Sequence, residues 1–248
     1  MSYMIYLDIL QDNYNMTNSM KDNKSIIAIP LAIVLAGGLI AGAIFMTNGN
    51  SGTTQVENSN IKEIKAVTND DHIMGNPDAK IVVVEYSDTE CPFCKNFHNT
   101  MKQVMQDYGA NGDVAWVYRH FPLDNLHKKA RNEALATECV ASLGGNDAFW
   151  KYIGRIFEVT GSNDKLDPQE LYNIASEQGI DSTKFNTCMT EKTLASQVQS
   201  DYESGVAAGI TGTPYSIILV KGSQTVVPID GAQPYSVVSN VIKTLLQK

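Results

Sequence analysis

The sequence predicts an α/β domain, a mixed sheet with helices on both faces and a helical insertion, preceded by one transmembrane helix. Three observations carry this expectation. Lys80–Tyr86, KIVVVEY, is an unbroken β-branched run of the kind that fills a strand buried on both faces. A helical pattern and a second strand, Asp113–Phe121 (DVAWVYRHF), follow at the spacing of a βαβ unit, which makes the two strands parallel. Ile26–Met46, IIAIPLAIVLAGGLIAGAIFM, holds no charged or strongly polar side chain. At about 20 residues and 1.5 Å rise each it matches the bilayer core.

Taken in chain order, residues 1–25 form a short N-terminal segment whose Lys21 and Lys24 abut the apolar run, with no Lys or Arg after it until Lys62. That asymmetry places the N-terminus in the cytoplasm and everything after Met46 outside. Pro30 falls in the first turn of the span, where a missing N–H is tolerated. The apolar core is longer than a signal-peptide h-region and no clear A-x-A site follows it, so a retained signal-anchor over 26–46 is preferred to a cleaved signal peptide. Gly38 and Gly42 make a lone GxxxG, weak ground for dimerisation. Residues 47–70, rich in Asn, Ser, Thr and Gly, read as a flexible linker in which IKEIKAV is a candidate edge strand.

The folded domain is expected over 71–248. Pro92 opens a helix that carries Phe97, Met101, Val104, Met105 and Tyr108 on one face. From about 125 to 199 the pattern is helical, with NLHKKARNEALATECVASL, DAFWKYIGRIFEV and PQELYNIASEQ as successive segments, and Phe149, Trp150, Ile153, Ile156 and Phe157 read as core. After Thr213-Pro214, SIILVKG and TVVPID flank the turn-forming KGSQ as a hairpin. An amphipathic helix on Val237, Val238, Val241, Ile242 and Leu245 closes the chain.

A net charge of −8, with no block of Lys and Arg to meet phosphates, argues against a nucleic-acid partner. The four cysteines, Cys91, Cys94, Cys139 and Cys188, are too few and scattered for a disulfide-stapled scaffold, though an even number suits two pairs. Cys91-Pro-Phe-Cys94 has no second C-x-x-C to complete a zinc site, and His98 on the same helix face is its sole support as a metal ligand, so no metal is expected there. A purely structural bridge across so small a loop brings little. Placement makes the pair look reactive instead. Cys91 falls at the cap of the helix that Pro92 opens, where free N–H groups and the positive end of the dipole favour thiolate over thiol. Cys94, one turn deeper, would act second, in a two-step thiol–disulfide exchange.

VVVEYSD leading into CPFC, YRHFPL after the second strand, the helical insertion, and GITGTP ahead of the hairpin form an ordered set. Together they resemble the DsbA-like thiol:disulfide oxidoreductases of the thioredoxin superfamily, from about Asp71 to the C-terminus. The resemblance implies a thioredoxin-like fold without a cofactor. It implies a cis Pro214 opposite the cysteines, with the Thr213 backbone aimed at an extended substrate. It implies that Glu85 is a buried acid accepting the Cys94 proton, against the alternative of an edge carboxylate reaching solvent. It also implies a second, structural disulfide between Cys139 and Cys188, against two buried free thiols.

Two features depart from the family's strongest oxidants. Pro92-Phe93 stands where they carry a histidine between the cysteines, and Glu90 immediately precedes Cys91, where a nearby carboxylate would raise its pKa. Both point to a less oxidising couple. His120 in YRHFPL reads as structural. The expectation is a membrane-tethered, extracytoplasmic enzyme, facing the periplasm or cell exterior, that puts disulfides into reduced exported proteins. The family implies reoxidation by a quinone-linked membrane partner of the DsbB or vitamin K epoxide reductase type. The alternatives are a reductase, an isomerase (for which the polar tether supplies no dimerisation module), and a binding or chaperone-like module with an inert cysteine pair.

Overall fold

The computed structural model describes residues 64–247. The expected anchor Ile26–Met46, the basic residues that orient it, Gly38 and Gly42, and most of the 47–70 linker lie outside the described residues. Among the described residues no helix is long and apolar enough to cross a membrane.

Five strands form one sheet: β1 (His72–Gly75), β2 (Ile81–Ser87), β3 (Val114–His120), β4 (Tyr215–Val220) and β5 (Val226–Asp230), in the order β1-β3-β2-β4-β5. β2 and β3 run parallel with Ser87 opposite His120, while β1, β4 and β5 join antiparallel. The β-branched run of β2 sits in the middle of this sheet, and every residue of β3 is buried, as a strand covered on both faces requires. The edge strand is HIMG at 72–75; within IKEIKAV, the described residues 64–67 are not strand.

Helix α1 (Pro92–Val104) loosens into a π-helical turn at Met105–Gly109 and joins β2 to β3. The helical block comprises α2 (Ala130–Gly144), α3 (Asn146–Val159), α4 (Pro168–Glu177), α5 (Ser182–Glu191) and α6 (Ala195–Ala208), and α7 (Tyr235–Leu246) closes the domain. The block therefore runs past residue 199, and it begins at Ala130, leaving Asn125–Lys129 as a loop.

One face of the sheet packs Val83, Trp116 and Ile218 against Phe97 and Met101 of α1, Ile153 of α3, and Val238 and Ile242 of α7. The other packs Val84, Tyr86, Val117 and Ile217 against Phe121, Ala208 and Ile210. At Gly205 on α6 a Cβ would come within 2.6 Å of the Phe121 ring, so the missing side chain lets this helix lie close to the end of β3. A separate core inside the helical block holds Leu135, Tyr152, Ile156, Ile174 and Phe185 around a Cys139–Cys188 disulfide that bridges α2 and α5, with Cα atoms 5.9 Å apart.

Arg119 on β3 is fully buried, and its guanidinium bonds the Asp71 carboxylate, the Tyr86 hydroxyl and the Lys65 and Ala66 carbonyls. A guanidinium inside a protein needs this degree of pairing, and the bonds fasten the segment before β1 to the sheet.

Candidate active site

β2 and β3 are parallel, so the segments that leave their C-terminal ends emerge on the same edge of the sheet. Cys91 and the Phe121–His127 loop are brought together there. Cys91 is the N-cap of α1, in extended conformation, with Pro92 at the first helical position. Its thiol points at the Thr213 carbonyl, 3.5 Å away, and the Thr213–Pro214 peptide is cis. Cys94, one turn into α1, is fully buried and accepts the Asp88 N–H at 3.4 Å.

The two thiols are driven apart electrostatically. The Cys91 pKa is lowered to about 6, chiefly by hydrogen bonding from Cys94, with help from the Cys94 and Phe93 N–H groups and Thr213 against the opposing effect of burial. Cys94 is pushed well above its ordinary value, first by burial, then by the Cys91 hydrogen bond and charge and by the Glu85 charge. One sulfur is set up as nucleophile and leaving group, the other holds its proton.

Glu85 lies on β2 with no solvent exposure, so the alternative of an edge carboxylate is excluded. Its Oε2 accepts the Trp116 indole N–H at 2.9 Å, and burial raises its pKa to about 7. Glu85 Oε1, Ser87 Oγ, Tyr118 Oη and Ser216 Oγ are all buried without a hydrogen-bond partner on the three central strands. A carboxyl that titrates near neutrality in such a place is suited to exchanging a proton with Cys94.

Glu90 does not face Cys91. Its buried carboxylate turns into the helical block and accepts the Asp164 and Leu166 N–H groups, from a turn in which Ser162, Asn163 and Asp164 are left-handed. The expected rise in the Cys91 pKa from this neighbour is therefore absent from the geometry. His98 is buried between Trp116 and Phe157, with ring centroids 5.1 and 4.8 Å away, and burial lowers its pKa to about 3. His120 is buried too, bonded to Glu138 rather than to either cysteine.

Two residues that the sequence reading missed complete the site. Asp88 accepts the Leu123 N–H at 2.7 Å and the Glu90 N–H at 2.8 Å, and it holds His127 Nδ1 at 3.0 Å. Burial alone would lower the His127 pKa, but the Asp88 hydrogen bond and charge outweigh it and raise it, and the charge on Cys91 adds to the rise. His127 lines the same cleft as Cys91. An imidazole thus stands near the thiolate although Phe93 occupies the dipeptide. The signal available in the sequence was topological: a His shortly after a strand parallel to the one that ends at the cysteines must lie on the same edge of the sheet.

The cleft encloses about 830 Å³ between Phe93, Leu126, His127, Val206, Ile210 and Thr213. Phe93 is 62% exposed, Leu126 69% and Val206 52%. These are three of the five large apolar side chains exposed among the described residues, so the apolar surface is concentrated at Cys91 rather than scattered.

The lowered Cys91 pKa sets a pH profile. The thiolate fraction rises through pH 6 and is nearly complete by pH 7, about 30-fold above that of a free thiol of pKa about 8.5. Iodoacetamide should alkylate Cys91 of the reduced protein with a half-maximal rate near pH 6 and a plateau above pH 7. A midpoint near that of free cysteine would contradict this electrostatic account.

A family model described as Thioredoxin matches residues 67–243. Among solved structures the fold is similar to Pseudomonas aeruginosa DsbA2, 28% identical with a TM-score of 0.60, over 73% of this chain and 97% of that one. It is also similar to oxidised BdbD from Bacillus subtilis, 26% identical with a TM-score of 0.62, over 72% of this chain and 94% of that one. A curated relative, the Na(+)/H(+) antiporter NhaA 1 of Mycolicibacterium gilvum, is 32% identical over 164 residues. That match takes in 65% of this chain, which spans only 25% of the relative's length.

Proposed function

The chain belongs to the thioredoxin family, and from that membership and the geometry around Cys91 we propose that it is an extracytoplasmic thiol:disulfide oxidoreductase that introduces disulfide bonds into exported proteins. The observation that carries the reading is the asymmetry of the cysteine pair: a low-pKa Cys91 in an open apolar cleft beside Thr213, over a buried, protonated Cys94.

In the oxidised enzyme a substrate thiolate attacks Cys91 Sγ of the Cys91–Cys94 disulfide. The S–S bond breaks, its electron pair goes to Cys94, and Cys94 takes a proton that Glu85 is placed to supply. The substrate is now joined to Cys91. A second substrate thiolate attacks the substrate sulfur of this mixed disulfide, and Cys91 leaves as the thiolate its surroundings stabilise. The substrate gains a disulfide and the enzyme is left reduced by two electrons. Phe93, Leu126 and Val206 supply an apolar surface for unfolded polypeptide, and the Thr213 backbone a docking edge for an extended segment.

On this reading Ile26–Met46 anchors the enzyme in the membrane with its catalytic domain outside. The Cys139–Cys188 disulfide suits an oxidising compartment. Two electrons per turnover must then leave through a quinone-linked membrane protein of the DsbB or vitamin K epoxide reductase type.

Mixing Cys94→Ala protein, activated at Cys91 as a mixed disulfide with glutathione, with an unfolded protein that carries a single thiol tests the proposal. A covalent adduct should accumulate through Cys91, since neither Cys94 nor a second substrate thiol is there to resolve it, and should dissolve on addition of dithiothreitol. An inert binding module would give no adduct.

A further inference from the structure

His72 on β1, His120 at the end of β3 and Glu138 on α2 come from three separate stretches and converge away from the cysteines. His72 Nε2 and His120 Nε2 lie 2.8 and 3.0 Å from the same oxygen, Glu138 Oε1, and the three atoms all fall within 4.8 Å of one another. His120 and Glu138 are buried, and His72 is partly exposed. We propose that these three side chains bind a divalent transition-metal ion of the Zn²⁺ class, held by two imidazole nitrogens and a carboxylate oxygen with a fourth position left open.

Zn²⁺ bonds imidazole nitrogen and carboxylate oxygen at about 2.0–2.2 Å in tetrahedral sites, which sets neighbouring ligand atoms about 3.3 Å apart. The 2.8 and 3.0 Å separations open by a few tenths of an ångström to admit the ion, and the two imidazole nitrogens, within 4.8 Å of each other, swing together about it. In the metal-free state one carboxylate oxygen serves both rings; on loading, each ring must carry its proton on Nδ1.

The ligands are held in place beforehand. The His72 ring lies flat on Phe149, centroids 3.6 Å apart and planes 10° from parallel, and His120 meets Tyr118 edge-on at 5.3 Å. Glu138 Oε1 faces both imidazole Nε2 atoms at once, so one carboxylate oxygen already stands where the three ligand directions meet. A second buried carboxylate, Asp201, accepts the backbone N–H of His120 through Oδ2, while its Oδ1 has no hydrogen-bond partner and Lys65 Nζ is 3.9 Å away. That oxygen, buried without a hydrogen-bond partner near the Glu138 carboxylate, adds negative charge that favours a cation between the sheet and the helical block. A surface cavity of about 340 Å³, lined by Asp70, Asp71, His72 and Asn146 among others, gives access to the partly exposed His72.

Such an ion would clamp the edge strand and β3 to the helical block, independently of the thiol chemistry. The test uses the full chain with Cys91 and Cys94 oxidised, so that no thiol offers a competing site, stripped with a chelator and titrated with Zn²⁺ and then Co²⁺. One equivalent should bind per chain, raise the thermal midpoint, and give Co²⁺ visible bands without a thiolate charge-transfer band. His72→Ala, at a partly exposed edge-strand position, should weaken binding at least about 100-fold, more than loss of an outer-shell partner does. Glu138→Gln, which keeps an acceptor for the histidines but removes the charge, should weaken it too. No saturable binding below millimolar Zn²⁺, or binding unchanged in both variants, would overturn the proposal.

Discussion

Serine at position 91 is expected to bring disulfide transfer to a reduced substrate down to the uncatalysed background, a loss of at least about three orders of magnitude. The reason lies in the ionisation of one atom. Cys91 Sγ has a pKa of about 6, so the group that is attacked and later leaves does so as a stable thiolate at neutral pH. A serine hydroxyl forms no disulfide and has no comparable anion. Cys91 is buried at the cap of α1, but serine is close to cysteine in size and leaves Pro92 to open the helix, so the variant should retain the circular dichroism of the parent. Activity lost together with structure would mean that the pair is architectural. The assay is oxidation of a reduced, unfolded protein by stoichiometric oxidised enzyme, followed by free-thiol counting.

The second large effect concerns stability. The Cys139–Cys188 bridge closes a sequence separation of 49 residues. Loop-closure entropy for that length corresponds to about 4 kcal/mol, within a usual range of about 2–5 kcal/mol for removing a native disulfide. The double variant Cys139→Ala, Cys188→Ala should therefore unfold in urea at a clearly lower midpoint. Tyr152, Ile174 and Phe185 surround the bridge, so the loss would be felt first in the helical block and only through it at Cys91. A change below about 1 kcal/mol would mean that this core holds together without its cross-link.

How much of this was legible depended on whether the determining interactions were local. KIVVVEY and DVAWVYRHF declare themselves because strands buried on both faces admit little but apolar side chains. HIMG does not: four residues, with two polar or sulfur side chains and a terminal glycine, show neither alternation nor a β-branched run. α6 was equally hard to read, since it buries Asp201 and Gly205 beside Val198 and Ala208 and so blurs its apolar face. At the site, the helix-cap position of Cys91 follows from CPFC itself. The approach of Thr213 and Pro214 to Cys91 is long-range and was available only through the family resemblance, as was the pairing of Cys139 with Cys188. Glu90 shows the limit of reasoning from adjacency, because the chain turns at the cap and carries its carboxylate away to the Asp164 and Leu166 N–H groups. His127 and the cluster of His72, His120 and Glu138 are assembled by topology from distant positions, and no spacing along the chain announces them.

The most direct test of the account is the equilibrium reduction potential of the Cys91–Cys94 couple, measured against glutathione with Cys139 and Cys188 still bridged. A depressed Cys91 pKa stabilises the dithiol form above pH 6 and so makes the disulfide more oxidising, an effect that fades as pH falls through 6. A nucleophile at about 6 lies between thioredoxin's, about 7, and that of the strong oxidant DsbA, about 3.5. The potential should accordingly fall between about −270 mV and about −120 mV, on the disulfide-donating side of thioredoxin. A value at or below about −270 mV would mean that electrons run the other way and that the protein is a reductase.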